Sequence, residues 1–154
     1  MTVKILVATQ GGTADLCAQE IVDTLADRGI DAETTLMGDF GPEVFDEGGQ
    51  FIICTSTYGY GEIPDNGTDF YEALVAGKPD LSRVSFAVFG LGDMTYEDTF
   101  NFAGQKFDAI LAECGAERMI ERHIHDANSG NLAEDEAIEW IEGWISAMEA
   151  RAAA

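Results

Sequence analysis

The chain has 154 residues, 46% of them hydrophobic, which suits one domain over residues 1–154 with a sizeable core. Its 29 acidic and 8 basic residues give a formal net charge of −21, which argues against binding to a nucleic-acid backbone or an anionic membrane surface and favours basic protein partners. Solubility, or a salt-rich cytoplasm, would explain the same acidity. Cys17, Cys54 and Cys114 are scattered without a C-x-x-C pair, as reduced core thiols of a cytoplasmic protein are. Neither a signal peptide nor an apolar stretch approaching the ~18 residues of a membrane span is expected.

The first predicted strand, Val3 to Ala8, is apolar almost throughout, as a strand covered on both faces is. It runs into Thr9, Gln10, Gly11, Gly12, Thr13 and Ala14, where a helical pattern opens. Strand, small hydroxylated loop and helix N-terminus together make an anion seat of backbone N–H groups and hydroxyls. No Lys or Arg lies between Lys4 and Arg28, so neutral dipoles would hold the anion. An ordinary βα turn with a threonine N-cap reads equally well. Ala14, Ala18, Ile21, Val22 and Leu25 share one helical stripe that stops near Arg28 and Gly29.

A second strand follows over Ile30 to Leu36, and Pro42 to Phe45 suggest one helical turn. Phe51 to Cys54 form a short third strand leading into Thr55, Ser56, Thr57, Tyr58, Gly59, Tyr60 and Gly61. Asp65 or Asn66 is expected to cap the next helix, whose inner face would be Phe70, Tyr71, Leu74 and Val75, with Gly77 and Pro79 ending it. Val84 to Phe89 give the fourth strand, followed by Gly90, Leu91, Gly92, Asp93, Met94, Thr95 and Tyr96. Ala103, Phe107, Ile110, Leu111 and Cys114 mark a helix stopped by Gly115; Arg118 to Ile124 read as the last strand. A closing helix over about Leu132 to Met148 buries Ile138, Trp140, Ile141, Trp144, Ile145 and Met148.

Alternating strands and helices imply an α/β fold, a parallel sheet with helices on both faces. The order 2-1-3-4-5 sets the loops after strands 1, 3 and 4 side by side at the carboxyl edge, the topological switch point where such sheets bind ligands. Tyr58 and Tyr96, from opposite walls, suit a flat ring stacked between them. With a phosphate seat at one end, that describes a mononucleotide-like cofactor.

Ser56 to Asn66 resemble the second flavin loop of the flavodoxin family, and Gly90 to Glu97 its third. The opening loop is similar to its phosphate loop, and Gly115 to Arg118 to the approach to its fifth strand. The resemblance is closest to the flavin-mononucleotide (FMN) domains of diflavin reductases and sulfite reductase flavoproteins and to the small MioC-like flavodoxins, and it spans nearly the whole chain. It implies a flavodoxin-like three-layer αβα sandwich with a five-stranded parallel sheet. It also implies FMN as cofactor and electron transfer, not catalysis, as function. By that resemblance Thr9, Gln10, Gly11, Gly12, Thr13 and Ala14 bind the phosphate. Thr55, Ser56, Thr57, Tyr58, Gly59 and Gly61 form one wall, and Leu91, Gly92, Asp93, Tyr96 and Phe100 the other. Gly11 departs from the family's usual threonine, Tyr60 replaces an acidic residue of the diflavin domains, and the long-chain insertion in the last strand is absent.

Glu62, Asp65, Asp93, Glu97 and Asp98 lie on or near these loops, so the lower one-electron potential is expected to be low. One carboxylate ~10 Å away at an effective dielectric near 20 costs ~1.7 kcal/mol, and a one-electron step shifts ~59 mV per ~1.4 kcal/mol. The implied partners are basic redox proteins: an NADPH-dependent flavodoxin reductase, an oxidase or another acceptor enzyme, met by a monomer. Two other readings stay open, a flavodoxin-like interaction module without flavin and a flavin-dependent quinone reductase. A receiver domain lacks its carboxylates after strands 1 and 3, and a dinucleotide fold lacks G-x-G-x-x-G. Neither a nucleophile elbow nor metal-ligand spacing is present. His123 and His125 read as satisfied strand-end residues or as groups near the flavin edge.

Overall fold

The computed structural model describes residues 2–9, 12–56, 63–92, 102–126 and 130–153. Strand β1 (Thr2–Ala8) leads to α1 (Thr13–Asp27), then β2 (Asp31–Leu36), two 3-10 turns (Met37–Asp39 and Pro42–Phe45) and β3 (Gly49–Ser56). Helix α2 (Asp65–Gly77), β4 (Val84–Gly92) and α3 (Phe102–Glu113) follow, then β5 (Glu117–Arg118), β6 (His123–Asp126) and α4 (Ala133–Ala153). Every strand pairing is parallel, in the order β2-β1-β3-β4-β5, with β6 also on β4. The expected order holds. The expected last strand is instead two short ones: β5 pairs with the start of β4 and β6 with its end, and Met119 to Arg122 join them.

Period-2 alternation builds two cores from strands that look uniformly apolar. Val3, Ile5 and Val7 face one side with Ile52, Cys54, Ala87 and Phe89; α1 and α4 cover it, and Trp144 lies fully buried at its centre. Leu6, Ile53, Phe86 and Val88 face the other, under Phe70 and Leu74 of α2 and Phe107 and Leu111 of α3. Trp140 is buried as expected. Val75 is not: Phe70 and Leu74 occupy the inward stripe of α2, and Val75 is 41% exposed.

Helix ends follow local chemistry. Gly29, with φ +75°, closes α1 by donating to Ala26 O while Ile30 donates to Leu25 O, a Schellman pair. The same pattern recurs at Gly115 after α3. At α2 the left-handed residue is Lys78, one past the expected Gly77, with Pro79 behind it. Helix α4 runs five residues beyond the expected Met148. There the Arg151 guanidinium donates to Glu117 Oε2 at 2.8 Å and to Ser85 Oγ at 3.3 Å, tying its last turn to the amino edge of the sheet.

Candidate functional site

The register sets the strand ends of the candidate site level with one another. Across the sheet, Ala8 of β1 lies beside Thr55 of β3, Thr55 beside Gly90 of β4, and Gly90 beside Ile124 of β6. At one strand spacing each, this row is ~14 Å wide. Beyond it leave the segments after β1, β3, β4 and β6. Of the expected site residues, Thr9, Gly12, Thr13, Ala14, Thr55, Ser56, Leu91 and Gly92 gather on this edge. Gln10, Gly11, Thr57, Tyr58, Gly59, Gly61, Asp93, Tyr96 and Phe100 lie outside the described residues.

The turn into α1 is held by Thr9, whose Oγ1 accepts from Gly12 N at 2.9 Å. Gly12 occupies the N-cap position with φ +87°, a conformation open to glycine at little cost. No side chain caps α1, so the threonine N-cap of the alternative reading is absent. Leu16 N donates to Gly12 O, the first bond of the helix, so the N–H groups of Thr13, Ala14 and Asp15 have no intrahelical acceptor. All eight cations lie outside residues 9–14. Asp15, in the first turn, adds a negative charge at this end.

A second group proves as important, and local sequence reasoning misassigned it. Asn66 does not cap α2, which has Pro64 in the N-cap position and no capping side chain. Its carboxamide reaches back to β1 instead: Oδ1 accepts from Thr9 N and Nδ2 donates to Val7 O, both at 3.0 Å. One side chain thus stands in for a strand neighbour where β1 leaves the sheet, joining the start of the first loop to the end of the second. Gly67 permits the approach. A Cβ there would meet Ala8 Cβ at 2.9 Å, Ile63 Cγ2 at 3.0 Å and Met37 Sδ at 3.2 Å.

Ser56 Oγ, at the end of β3, is sealed from solvent and has no hydrogen-bond partner. A buried hydroxyl normally finds one, so this atom fits a polar ligand group arriving at the edge. Neighbouring Thr55 is satisfied, its Oγ1 donating to Ser56 O at 3.0 Å. Beneath the first loop, Cys54 Sγ contacts Ala14 O at 3.1 Å. Burial pushes the Cys54 thiol well above its ordinary range, and burial with nearby Glu134, Glu136 and Glu20 pushes Cys17 up to about 12. Both are inert packing groups; the three cysteines are free and buried.

On the far side of the row, His123 and His125 are satisfied, by a partner no sequence pattern singled out. Glu136, in the first turn of α4, meets His123 Nε2 with one carboxylate oxygen at 2.7 Å and His125 Nδ1 with the other at 2.8 Å. Burial raises the Glu136 carboxyl, but the two imidazole hydrogen bonds and charges outweigh it, and the net shift is downward. Among the described residues, no group of three His, Cys, Asp or Glu is arranged to hold a metal ion.

The model of the family Flavodoxin matches residues 5–140. Protein MioC of Escherichia coli is 37% identical over 144 residues, covering 92% of this chain and 94% of that protein. The sulfite reductase (NADPH) flavoprotein alpha-component of Mannheimia succiniciproducens is 30% identical over 154 residues, 99% of this chain but 25% of the reductase. Among solved structures, a Streptococcus pneumonia flavodoxin superposes with a TM-score of 0.83 at 31% identity, covering 98% of this chain and 99% of that one. A match that begins inside β1 and ends inside α4, over a sheet wound in the same order, shows that the chain belongs to the flavodoxin family.

Proposed function

We propose that this flavodoxin shuttles single electrons between a reductase and an acceptor protein at low potential, as a cytoplasmic monomer of one domain with no reaction of its own. The chain is an FMN-binding electron-transfer flavodoxin; bound FMN supplies the one-electron chemistry. Thr9, Gln10, Gly11, Gly12, Thr13 and Ala14 hold its phosphate with uncharged groups. Thr55, Ser56, Thr57, Tyr58, Gly59 and Gly61 line one side of the ring, and Leu91, Gly92, Asp93, Tyr96 and Phe100 the other. The observation that carries this assignment is Ser56 Oγ, a sealed and unpartnered hydroxyl one residue beyond the row of Ala8, Thr55 and Gly90, at the carboxyl edge of the sheet.

The acidity serves two ends in this reading. Carboxylates beside the crevice disfavour added negative charge, keeping the lower one-electron potential low. They also steer basic partners, an NADPH-dependent flavodoxin reductase on one side and an oxidase or other acceptor on the other, in weak, salt-sensitive encounters. Among the described residues, no helix is long and apolar enough to cross a membrane.

The test is direct. Purified protein given FMN should turn yellow and quench its fluorescence at one equivalent; protein that takes up none refutes the site. In a spectroelectrochemical titration at low salt, Asp93→Asn should raise the lower potential by some tens of millivolts, at ~59 mV per ~1.4 kcal/mol. An unchanged value refutes the electrostatic account.

A further inference from the structure

We infer that Glu136 is a positioning residue of the cofactor crevice, which through His123 and His125 pins β6 against β4 at the rim, and that the two imidazoles make this pin respond to protons. The inference rests on the crevice being the FMN site.

The geometry is specific. His123 pairs with Phe89, His125 with Leu91 and Asp126 with Gly92, so the pinned strand lies directly beside two residues assigned to the flavin wall. His123 also stacks on the Phe89 ring, with centroids 5.2 Å apart and planes 13° from parallel. His125 is buried. Strand β6 is only four residues long and, among the described residues, pairs with β4 alone; a strand that short needs help from side chains to keep its place. Glu136 provides it from α4, across the layer boundary.

An ionised carboxylate only accepts hydrogen bonds. Each facing imidazole nitrogen must therefore carry hydrogen, which makes neutral His123 the Nε2–H tautomer and neutral His125 the Nδ1–H tautomer. Added protons go to the remaining nitrogens, Nδ1 of His123 and Nε2 of His125. The cluster then passes from −1 through 0 to +1. Its surroundings are mostly apolar or acidic. From β4 come Phe89 and Leu91. On β6 stands Asp126. On α4, Asp135 and Glu139 line the same depression as Glu136, and α1 contributes Cys17, whose thiol feels Glu134 and Glu136, with Glu20 alongside. Protonation turns hydrogen bonds charged only at the carboxylate into ion pairs charged at both ends and lightens the negative field beside the crevice. An anionic cofactor should bind more tightly as a result.

Two measurements test this. In FMN-free protein, nitrogen NMR of the imidazoles should show opposite tautomers for the two histidines. Glu136→Gln should force one to switch, because an amide offers one acceptor and one donor where the carboxylate offered two acceptors. Histidines that keep their tautomers and titrate unchanged in Glu136→Gln overturn the bridge. The second readout is the FMN Kd of wild type and of the double variant His123→Gln with His125→Gln. Titration of FMN itself is common to both and cancels in the ratio. The ratio of variant to wild-type Kd should grow about threefold or more between about pH 8 and pH 5.5, where imidazoles gain charge. A flat ratio overturns the link to the crevice. Should the double variant fail to fold, His125→Gln alone is read in the same way. If wild type binds no FMN, the cofactor assignment falls and the rim role with it, while the NMR result still decides the bridge.

Discussion

Replacing Asn66 with alanine removes a side chain that joins the first loop to the end of the second. Two hydrogen bonds disappear, to Thr9 N and Val7 O, each at 3.0 Å and partly buried. At a net ~1 kcal/mol per bond the loss is about 2 kcal/mol, equivalent to a Tm about 4–8 °C lower in a domain of this size. The assay is thermal and urea unfolding of FMN-free protein, so that cofactor binding does not mask the change. FMN should then bind more weakly to Asn66→Ala, because Thr9 also holds Gly12 and so sets the turn of the proposed phosphate seat. Asn66→Asp separates the two bonds. It keeps the acceptor for Thr9 N but sets a carboxylate against the Val7 carbonyl. Its folded-state pKa is thereby raised, so this variant should gain stability relative to wild type as the pH falls and the acid protonates and can donate. An Asn66→Ala protein within ~0.5 kcal/mol of wild type, the ordinary range of a surface substitution, would refute the tether.

Gly67→Ala should destabilise the protein by about 1–3 kcal/mol, the usual cost of overpacking, because the new methyl meets Ala8, Ile63 and Met37; chemical denaturation measures it. Ser56→Ala should leave FMN-free protein as stable as wild type or more so, since the lost hydroxyl had no partner, yet weaken FMN binding; a variant destabilised without cofactor would mean that the hydroxyl serves the fold. Cys17 and Cys54 should resist alkylation of native protein at about pH 8, with Cys17 pushed up to about 12 and Cys54 higher than its ordinary range; labelling that matches the unfolded chain would contradict their burial.

Features written in short-range pattern were legible. Apolar strands alternating with striped helices gave the layers and the sheet order, and the basic-glycine stop at Arg28 and Gly29 became a Schellman end. Pro42 to Phe45 form the expected turn, and the paired tryptophans of α4 are buried. The convergence of the strand ends at the candidate site was legible because loops after strands 1, 3 and 4 must meet at the switch point. Asn66 was not, because an asparagine beside a helix start looks like a cap, and its true partners lie 57 and 59 residues away. Glu136 was hidden among Glu134 and Asp135, three carboxylates that a helix dipole alone would explain. The break between β5 and β6 escaped because Arg118 to Ile124 carries no glycine or proline to announce it. There the chain obeys a partner outside the strand: Asp108 of α3, almost fully buried, receives both Arg118 and Arg122.

That splice has a bearing on how such a chain can grow. Two ladders, each anchored separately on β4, are joined by Met119 to Arg122, of which Met119 still donates to Phe86 O at 2.8 Å, and arginines hold both banks to the same carboxylate. Extra sequence let in between them would hang outside the sheet, with the amino-edge ladder and the crevice-side ladder each left intact. A longer last strand could thus be accommodated at a seam that this chain already possesses.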